Sequence, residues 1–173
     1  VWEGLKSAKC GKSNLSAVWL DVANAYGSIP YRLIFFALKR YGVPTKWIQI
    51  IEKYYSGIWS KCFSNSSPSS WHRHQRGIFT GCTISIILFL AGINVILEFA
   101  LALETSFVKE CNLGMKAFMD DLFLMSSSVE TTQLLLTRCT EALMWAGMSF
   151  RAGKSRSMVI SSGSILRICP FNV

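Results

Sequence analysis

The sequence predicts an α+β fold in which helices pack on one face of a small antiparallel sheet. Short β-branched and apolar runs, typical of strands, alternate with longer segments whose apolar residues recur at the helical period. Apolar residues make up 51% of the chain and charged residues only 16%, which excludes a disordered protein. The length of 173 residues predicts one domain over residues 1–173, large enough to bury a core.

The first elements follow from a strand pattern and from helix start and stop signals. Residues 16–22 are β-branched and apolar, which predicts a short buried strand that ends at Asp21. Ser28 is the predicted N-cap of the helix that follows, with Pro30 in its first turn. The helical period then continues until Gly42.

A second helix is predicted over residues 45–55, and a turn-rich segment follows it. One face of this helix is expected to be apolar and buried; its residues are Trp47, Ile48, Ile51 and Tyr55. Residues 65–69 are rich in serine, with an asparagine and a proline, and predict the tip of a hairpin.

Residues 84–103 form an apolar run that has two readings. Its length is almost that of a membrane span, but Asn94 and Glu98 lie inside it, and an acid in mid-span is costly. A helix that is hydrophobic all round is also typical of the centre of a protein core. We therefore expect a fully buried core helix from about residue 84 to 104 and no membrane partner, with a membrane span as the alternative.

Two adjacent carboxylates, Asp120 and Asp121, interrupt an otherwise apolar segment. The apolar runs on either side, residues 115–118 and 122–125, predict the two strands of a hairpin with the acids at its turn. An amphipathic helix capped by Ser128 is expected next, with one apolar face that carries Leu135, Cys139, Leu143 and Ala146. A basic loop and a last strand over residues 157–161 complete the predicted order.

Charge and cysteine usage restrict the partners and the compartment. Eighteen Lys and Arg residues against ten Asp and Glu give a formal charge of +8, which suits an anionic partner such as nucleic acid. The six cysteines show no metal-ligand spacing, and we interpret them as reduced thiols, mostly core filler, in an intracellular protein. The sequence does not distinguish nucleus from cytoplasm.

The aspartates are the strongest sign of chemistry. Asp21, Asp120 and Asp121 are the only aspartates in the chain, and each lies in an apolar segment. Burying such charges is costly unless they are paired or bind a metal. If the two strand segments are neighbours, the three carboxylates converge and would suit Mg²⁺, which prefers hard oxygen ligands. The alternative is a polar hairpin tip, where Asp is common.

Four segments in order resemble motifs A to D of a reverse transcriptase palm, as in non-long-terminal-repeat retrotransposons and group II intron proteins. Motif A lies at about residues 18–28, B at 75–86, C at 117–125 and D at 146–157. The residues that carry the resemblance are Leu20-Asp21-Val22-Ala23-Asn24-Ala25-Tyr26, Gly77-Ile78-Phe79-Thr80-Gly81-Cys82-Thr83-Ile84-Ser85, Phe118-Met119-Asp120-Asp121 and Gly147-Met148-Ser149-Phe150 through Lys154-Ser155.

The resemblance implies an RNA-directed DNA polymerase that transfers a nucleotide from a dNTP to a primer 3′-hydroxyl. It implies two Mg²⁺ ions, replaceable by Mn²⁺, on Asp21, Asp120, Asp121 and the backbone carbonyl of Val22, with Asp121 the least direct of these ligands. Asp121 would tune the charge of the site. The RNA template, DNA primer and dNTPs would be the partners. Because so few residues precede motif A or follow motif D, we expect fingers, thumb and an endonuclease in a longer parent polyprotein.

The resemblance also implies substrate contacts. Tyr26 would stack under the incoming sugar and reject a 2′-hydroxyl, although a packed core aromatic is the alternative. Gly77 and Gly81 would let the backbone approach nucleotide and template, or they are ordinary turn glycines. Lys154 would protonate the leaving pyrophosphate and Arg151 would contact phosphates, as would Arg156, unless this segment is only a solvated basic loop. A basic cluster before motif B, His72, Arg73, His74 and Arg76, suits a strand backbone.

The sequence departs from the family at four positions without losing a metal ligand. Thr80 replaces a frequent glutamine, Ile86 a common proline, Gly27 an acid after the gate aromatic, and Tyr31 a frequent histidine. These departures concern template or primer contacts. Two rival functions stay open: a truncated or co-opted copy that binds nucleic acid without catalysis, and an RNA-templated RNA polymerase, which Tyr26 disfavours.

Overall fold

The computed structural model describes residues 2–64, 67–102, 114–166 and 171. In these ranges it contains six α-helices and seven strands. In chain order they are α1 (Trp2–Cys10), β1 (Leu15–Asp21), α2 (Ala25–Ser28), α3 (Tyr31–Arg40), α4 (Thr45–Ser56), β2 (Trp59–Ser60), β3 (His72–Arg73), α5 (Thr83–Ala102), β4 (Gly114–Phe118), β5 (Asp121–Ser126), α6 (Val129–Trp145), β6 (Arg156–Ser161) and β7 (Ser164–Leu166). This mixture of helices and antiparallel sheet confirms the predicted α+β class.

The chain divides into two compact units, residues 1–23 with 96–173, and residues 24–95. The first unit holds a five-stranded sheet in the order β4-β5-β1-β6-β7, and every neighbouring pair is antiparallel. β1 is therefore the central strand. The single domain over residues 1–173 remains a prediction.

The two faces of β1 have different environments because side chains alternate along a strand. Ser16, Val18 and Leu20 are buried on the face that meets α6, which packs on β1 and β5. Trp19 and Asp21 lie on the opposite face. There the Trp19 ring packs 5.0 Å from the ring of Phe123, its cross-strand partner.

The helix α6 begins where the sequence predicts. Ser128 has extended backbone geometry, and its side chain accepts a hydrogen bond from the Thr131 amide at 3.1 Å, which confirms the predicted N-cap. The predicted apolar face is also buried, with Leu135, Cys139 and Leu143 each at most 1% exposed. Burial raises the pKa of the Cys139 thiol to about 12.

The second unit corrects two sequence-based predictions. Ser28 is not an N-cap, because the chain already forms a helical turn in α2, where the Ser28 amide donates to Asn24 at 2.8 Å; Pro30 takes the cap position of α3. Trp47 was predicted on a buried face of α4 but is 59% exposed, whereas Ile48 and Tyr55 are buried. The predicted hairpin exists, since β2 and β3 pair antiparallel, although residues 65–66 of its tip lie outside the described residues.

The apolar helix α5 is only half buried, so the expectation of full burial is wrong. It is the one described helix long and apolar enough to cross a membrane, and 50% of its apolar window is buried. Ile87, Asn94 and Glu98 lie on an exposed side, which accommodates the two polar residues without burying them. The predicted end at residue 104 falls outside the described residues.

The prediction that the cysteines mostly fill the core is wrong for the described cysteines. Cys139 is buried, Cys82 is intermediate, and Cys10 and Cys62 are exposed, so only Cys139 fills core space. Cys111 and Cys169 lie outside the described residues.

Gly77 and Gly81 both have positive φ, of 84° and 87°, but their surroundings differ. A Cβ at Gly77 would lie 2.6 Å from the carbonyl oxygen of Gly27, whereas a Cβ at Gly81 would meet nothing within 4 Å. The Gly77 amide donates to Ile29 at 2.9 Å. Gly77 is thus required by close packing of backbone on backbone within this unit.

Replacing Ser128 with alanine is expected to lower the free energy of unfolding by about 1 kcal/mol, because the Thr131 amide loses its acceptor. Urea unfolding followed by circular dichroism measures the change. Ser127→Ala is the matched control, since Ser127 is exposed beside the cap, and it should change stability by less than about 0.5 kcal/mol. Equal effects of the two variants would contradict the capping role.

Gly77→Ala is expected to cost roughly 3 kcal/mol, because left-handed strain adds to a clash with backbone that cannot move cheaply. Gly81→Ala carries the strain without the clash and should cost only about 1 kcal/mol. Urea unfolding of the two variants measures the difference. A loss at Gly81 as large as that at Gly77 would show that the contact with Gly27 is unimportant.

Candidate active site

Asp21 and Asp121 face each other across paired strands. Asp21 is the last residue of β1 and Asp121 the first of β5, and the two are Cα partners in the antiparallel register. Directly opposed residues have their side chains on the same face, with Cβ atoms about 4.5–5.5 Å apart. The predicted neighbourhood of these strands is therefore confirmed, and it places both carboxylates on the face that α6 does not cover.

Asp120 lies in the two-residue turn between β4 and β5, whereas Asp121, which was also predicted at the turn, is the first residue of β5. The other turn residue, Met119, has a φ of 55°, a region that non-glycine residues rarely adopt and that costs about 1 kcal/mol or more. The Asp120 carbonyl accepts a hydrogen bond from the Val22 amide at 3.3 Å. This bond ties the turn to the end of β1, so Asp120 and Val22 are neighbours through their backbones.

Arg151 is held beside Asp21 by backbone pairing that extends β1. Phe150 forms an antiparallel bridge with Val22, and the Arg151 amide donates to the Asp21 carbonyl at 2.8 Å. The Arg151 Nε consequently lies 3.6 Å from Asp21 Oδ2. Their side chains are 45% and 22% exposed, so the pair contributes less than about 1 kcal/mol to stability. Sequence reasoning expected Arg151 to contact a phosphate and missed this partner.

The remaining basic residues of motif D are on the same segment. Lys154 is exposed in a turn, with its amide donating to the Arg151 carbonyl at 3.0 Å. Arg156 pairs in register with Trp19, which places it on the same face of the sheet as Asp21. Its guanidinium donates to the Ser155 carbonyl at 2.7 Å. This sheet face therefore combines acids at the strand ends with cations from one loop.

The donor chemistry of the three aspartates fits a divalent cation, but their side chains are not gathered into a finished site. Carboxylate oxygens are the ligands that Mg²⁺ prefers, and the backbone brings the three acids to adjacent positions. Among the described residues, however, no group of three or more His, Cys, Asp or Glu side chains is arranged to hold a metal ion. The Asp21 carboxylate instead lies beside Arg151, with 3.6 Å between Asp21 Oδ2 and Arg151 Nε.

Tyr26 lies in the second unit and stacks on another ring. Its ring centroid is 4.8 Å from that of Phe89, with the ring planes 13° apart, and its carbonyl accepts from the Ile78 amide at 2.7 Å. One ring face is thus packed, as the alternative reading of a core aromatic expected. The local structure also explains why residue 27 is a glycine, since a Cβ there would lie 2.5 Å from the Asn24 side-chain amide.

The two motif B glycines have different surroundings. Gly77 is buried and approaches Gly27 of this chain rather than open space. Gly81 is exposed, and a Cβ added there would meet nothing within 4 Å. Of the two glycines, it is Gly81 whose backbone a ligand can approach closely. Sequence reasoning treated the two alike and also missed Met119, since nothing in its residue type signals a positive φ.

Comparisons with known proteins agree with the motif order. A family model described as reverse transcriptase (RNA-dependent DNA polymerase) matches residues 2–165. The chain is 26% identical over 157 residues to the Retrovirus-related Pol polyprotein from type-1 retrotransposable element R2 of Nasonia vitripennis, covering 90% of this chain and 15% of the relative. It is 26% identical over 135 residues to the corresponding type-2 R2DM polyprotein of Drosophila melanogaster, covering 78% and 13%.

Solved structures share the fold at low sequence identity. Apo telomerase from Candida tropicalis, truncated from its C-terminal domain, superposes with a TM-score of 0.67 and 14% identity, over 91% of this chain and 34% of that one. Telomerase of the same organism, in complex with a TWJ fragment of telomeric RNA, gives 0.68 and 11%, over 94% and 29%. The chain spans only a small part of the length of its curated relatives. The family model, by contrast, matches nearly the whole of this chain, which shows that the chain belongs to the reverse transcriptase (RNA-dependent DNA polymerase) family.

Proposed function

We propose that this chain is the palm of a retrotransposon RNA-directed DNA polymerase, which transfers a nucleotide from a dNTP to a primer 3′-hydroxyl on an RNA template. One observation carries the proposal: the antiparallel register places Asp21 opposite Asp121 and joins the Asp120 turn to Val22. Those positions lie in the segments that resemble motifs A and C, and the chain belongs to the reverse transcriptase family. Adjacent carboxylates at the ends of neighbouring strands suit metal-assisted phosphoryl transfer.

Reverse transcriptases use divalent metals, and we propose that Asp21, Asp120 and the Val22 carbonyl hold Mg²⁺ here, with Mn²⁺ as a substitute. Two such ions supply charge stabilisation at the attacking and leaving oxygens of an in-line transfer. Asp121 adds negative charge directly opposite Asp21, which favours cations at this position. Its exposed position at the start of β5 suits a tuning role better than a ligand role.

Arg151 acts in two states under this proposal. Without an ion its guanidinium neutralises Asp21, 3.6 Å away, and lowers the repulsion between the facing acids. With an ion on Asp21 the guanidinium is released to contact the triphosphate, as the motif predicts. Lys154, three residues further in an exposed turn, is the proposed donor of a proton to the leaving pyrophosphate.

Tyr26 would act as the sugar gate with the ring face that Phe89 does not stack on. The stacked arrangement, with planes 13° apart, supports this role because a ring fixed by a neighbour cannot yield to a 2′-hydroxyl. Gly81, which is exposed, would let backbone approach the nucleotide. These assignments favour dNTPs over rNTPs and therefore a DNA polymerase over an RNA polymerase.

The partners follow from the family and from charge. An RNA template and a DNA primer suit the formal charge of +8. The relatives are polyproteins of which the chain spans 15% and 13%. We accordingly propose that fingers, thumb and an endonuclease domain are supplied by a longer, intracellular parent protein.

A second candidate is a co-opted copy that binds nucleic acid without catalysis. It is favoured by the pairing of Asp21 with Arg151 and by the absence of a ready metal cluster among the described residues. In such a copy the acids would contribute nothing to binding, and substituting Asp120 would leave RNA affinity and activity unchanged.

Primer extension on an RNA template with Mg²⁺ tests the polymerase directly, using the chain joined to fingers and thumb. Asp120→Asn is expected to lower the extension rate roughly a hundredfold or more, since a ligand should matter more than outer-shell groups, which change activity about 10- to 100-fold. Asp121→Asn should cost only about tenfold by the same comparison. RNA affinity should not fall in either variant.

Glu141→Gln is the control, because Glu141 is an exposed acid of α6 that pairs with the nearby Arg138. It should extend primers as the unmodified chain does. Unchanged extension by the Asp120 variant would contradict the role of Asp120 as a metal ligand. RNA binding without extension by the unmodified fusion would contradict the polymerase proposal and support the binding copy.

A further inference from the structure

A short hairpin in the second unit exposes three large aromatic side chains. It consists of residues 59–73, described except for residues 65–66, and is called the aromatic hairpin here. Trp59, Phe63 and Trp71 are 55%, 81% and 64% exposed. Large apolar side chains gathered on one surface feature indicate a binding surface rather than a core.

Two cations lie beside the aromatic side chains of the hairpin. Trp59 is the cross-strand partner of Arg73, so both point to the same side. Lys61 Nζ lies 5.8 Å from the ring centroid of Phe63 and 5.8 Å from that of Trp71. Lys61 therefore lies within cation–π range of two of the three rings, and Arg73 is the cross-strand partner of the third.

The hairpin lies in a stretch without acids. Between Glu52 and Glu98 the sequence contains no Asp or Glu, while Lys53, Lys61, Arg73 and Arg76 are all present. The aromatic hairpin itself therefore carries cations and no acid, which complements a polyanion, while Glu52 lines a cavity together with Arg73. An apolar face meant for another protein surface or a lipid tail has no need of cations beside its rings.

The aromatic hairpin is also held in place before any ligand arrives. The Ser69 amide donates to the Cys62 carbonyl at 2.8 Å, and Arg73 Nε donates to the Ser56 carbonyl at 3.1 Å. On the other face, His74 Nε2 and the Ser60 hydroxyl lie 2.8 Å apart. A fixed platform loses little conformational freedom on binding, which favours affinity.

We propose that this face of the aromatic hairpin binds an unpaired nucleic-acid strand, with bases stacked on the rings and phosphates beside Lys61 and Arg73. Aromatic rings interleaved with cations are the arrangement by which proteins bind single strands without reading sequence. Binding at this face needs neither metal nor dNTP. Its function does not depend on the polymerase proposal.

Fluorescence anisotropy of the 173-residue chain with labelled oligothymidylate of about twelve nucleotides, a typical length for such sites, tests the proposal without divalent metal. Trp71→Leu is expected to weaken binding about 5- to 150-fold, the range for loss of one stacked base. Trp71→Phe, which keeps a ring, should stay within about threefold. Trp47→Leu is the matched control, since Trp47 is similarly exposed at 59% on α4, and should change nothing.

An abasic oligonucleotide with the same number of phosphates separates stacking from charge. It should bind the unmodified chain more weakly than oligothymidylate does, and Trp71→Leu should weaken it no further. Lys61→Gln should lower the slope of log affinity against log salt by about one. Oligothymidylate binding that survives Trp71→Leu, or an equal loss with the abasic probe, would overturn the proposal and leave the face to a protein or lipid partner.

Discussion

The pairing of β1 with β5 is the constraint on which the candidate active site depends. It brings Asp21 and Asp121 into direct opposition, an arrangement that like charges disfavour by about 0.2–1 kcal/mol. A slip of one residue would turn every side chain to the other face and would separate the acids. The register must therefore be fixed by contacts elsewhere along the same strands.

Those contacts lie on the other face and at the far end of the pair. Leu20 pairs with Leu122 and Val18 with Leu124, and all four side chains are at most 2% exposed. Such fully buried apolar pairs contribute roughly 1.5–3 kcal/mol per side chain, well above the repulsion between the acids. Burial of the apolar face of the sheet thus outweighs the repulsion between the opposed acids at the ends of β1 and β5.

Hydroxyl groups fix the far end. Ser16 bonds to Thr132, Ser126 Oγ lies 2.8 Å from Thr132 Oγ1, and the Ser16 hydroxyl donates to the Ser128 carbonyl at 2.7 Å. All three hydroxyl-bearing residues Ser16, Ser126 and Thr132 are fully buried, so any slip would leave polar groups unsatisfied at about 1–3 kcal/mol each. This network joins β1, β5 and the start of α6, and it sets the position of the acids some five residues away.

Local patterns were enough to predict the strands beside Asp120 and Asp121 and the cap at Ser128, because apolar runs and capping residues act over a few positions. The Arg151–Asp21 pair was not predictable in this way, since it depends on a backbone bridge between residues about 130 positions apart. The positive φ of Met119 was missed because the hairpin, not the residue type, imposes it. Ser28 was misassigned because an unexpected helical turn, α2, takes up the chain before Pro30.

A double-mutant cycle on Asp21→Asn and Asp121→Asn, measured by urea unfolding at low salt with EDTA and again with Mg²⁺, tests the central claim most directly. Without an ion the coupling free energy should be repulsive, by about 0.2–1 kcal/mol. With Mg²⁺ it should change sign, because an ion that binds only the folded chain at Asp21 is held more tightly when Asp121 adds its negative charge on the opposite strand. Coupling close to zero in both conditions would contradict the claim that this opposed pair of carboxylates creates a cation site.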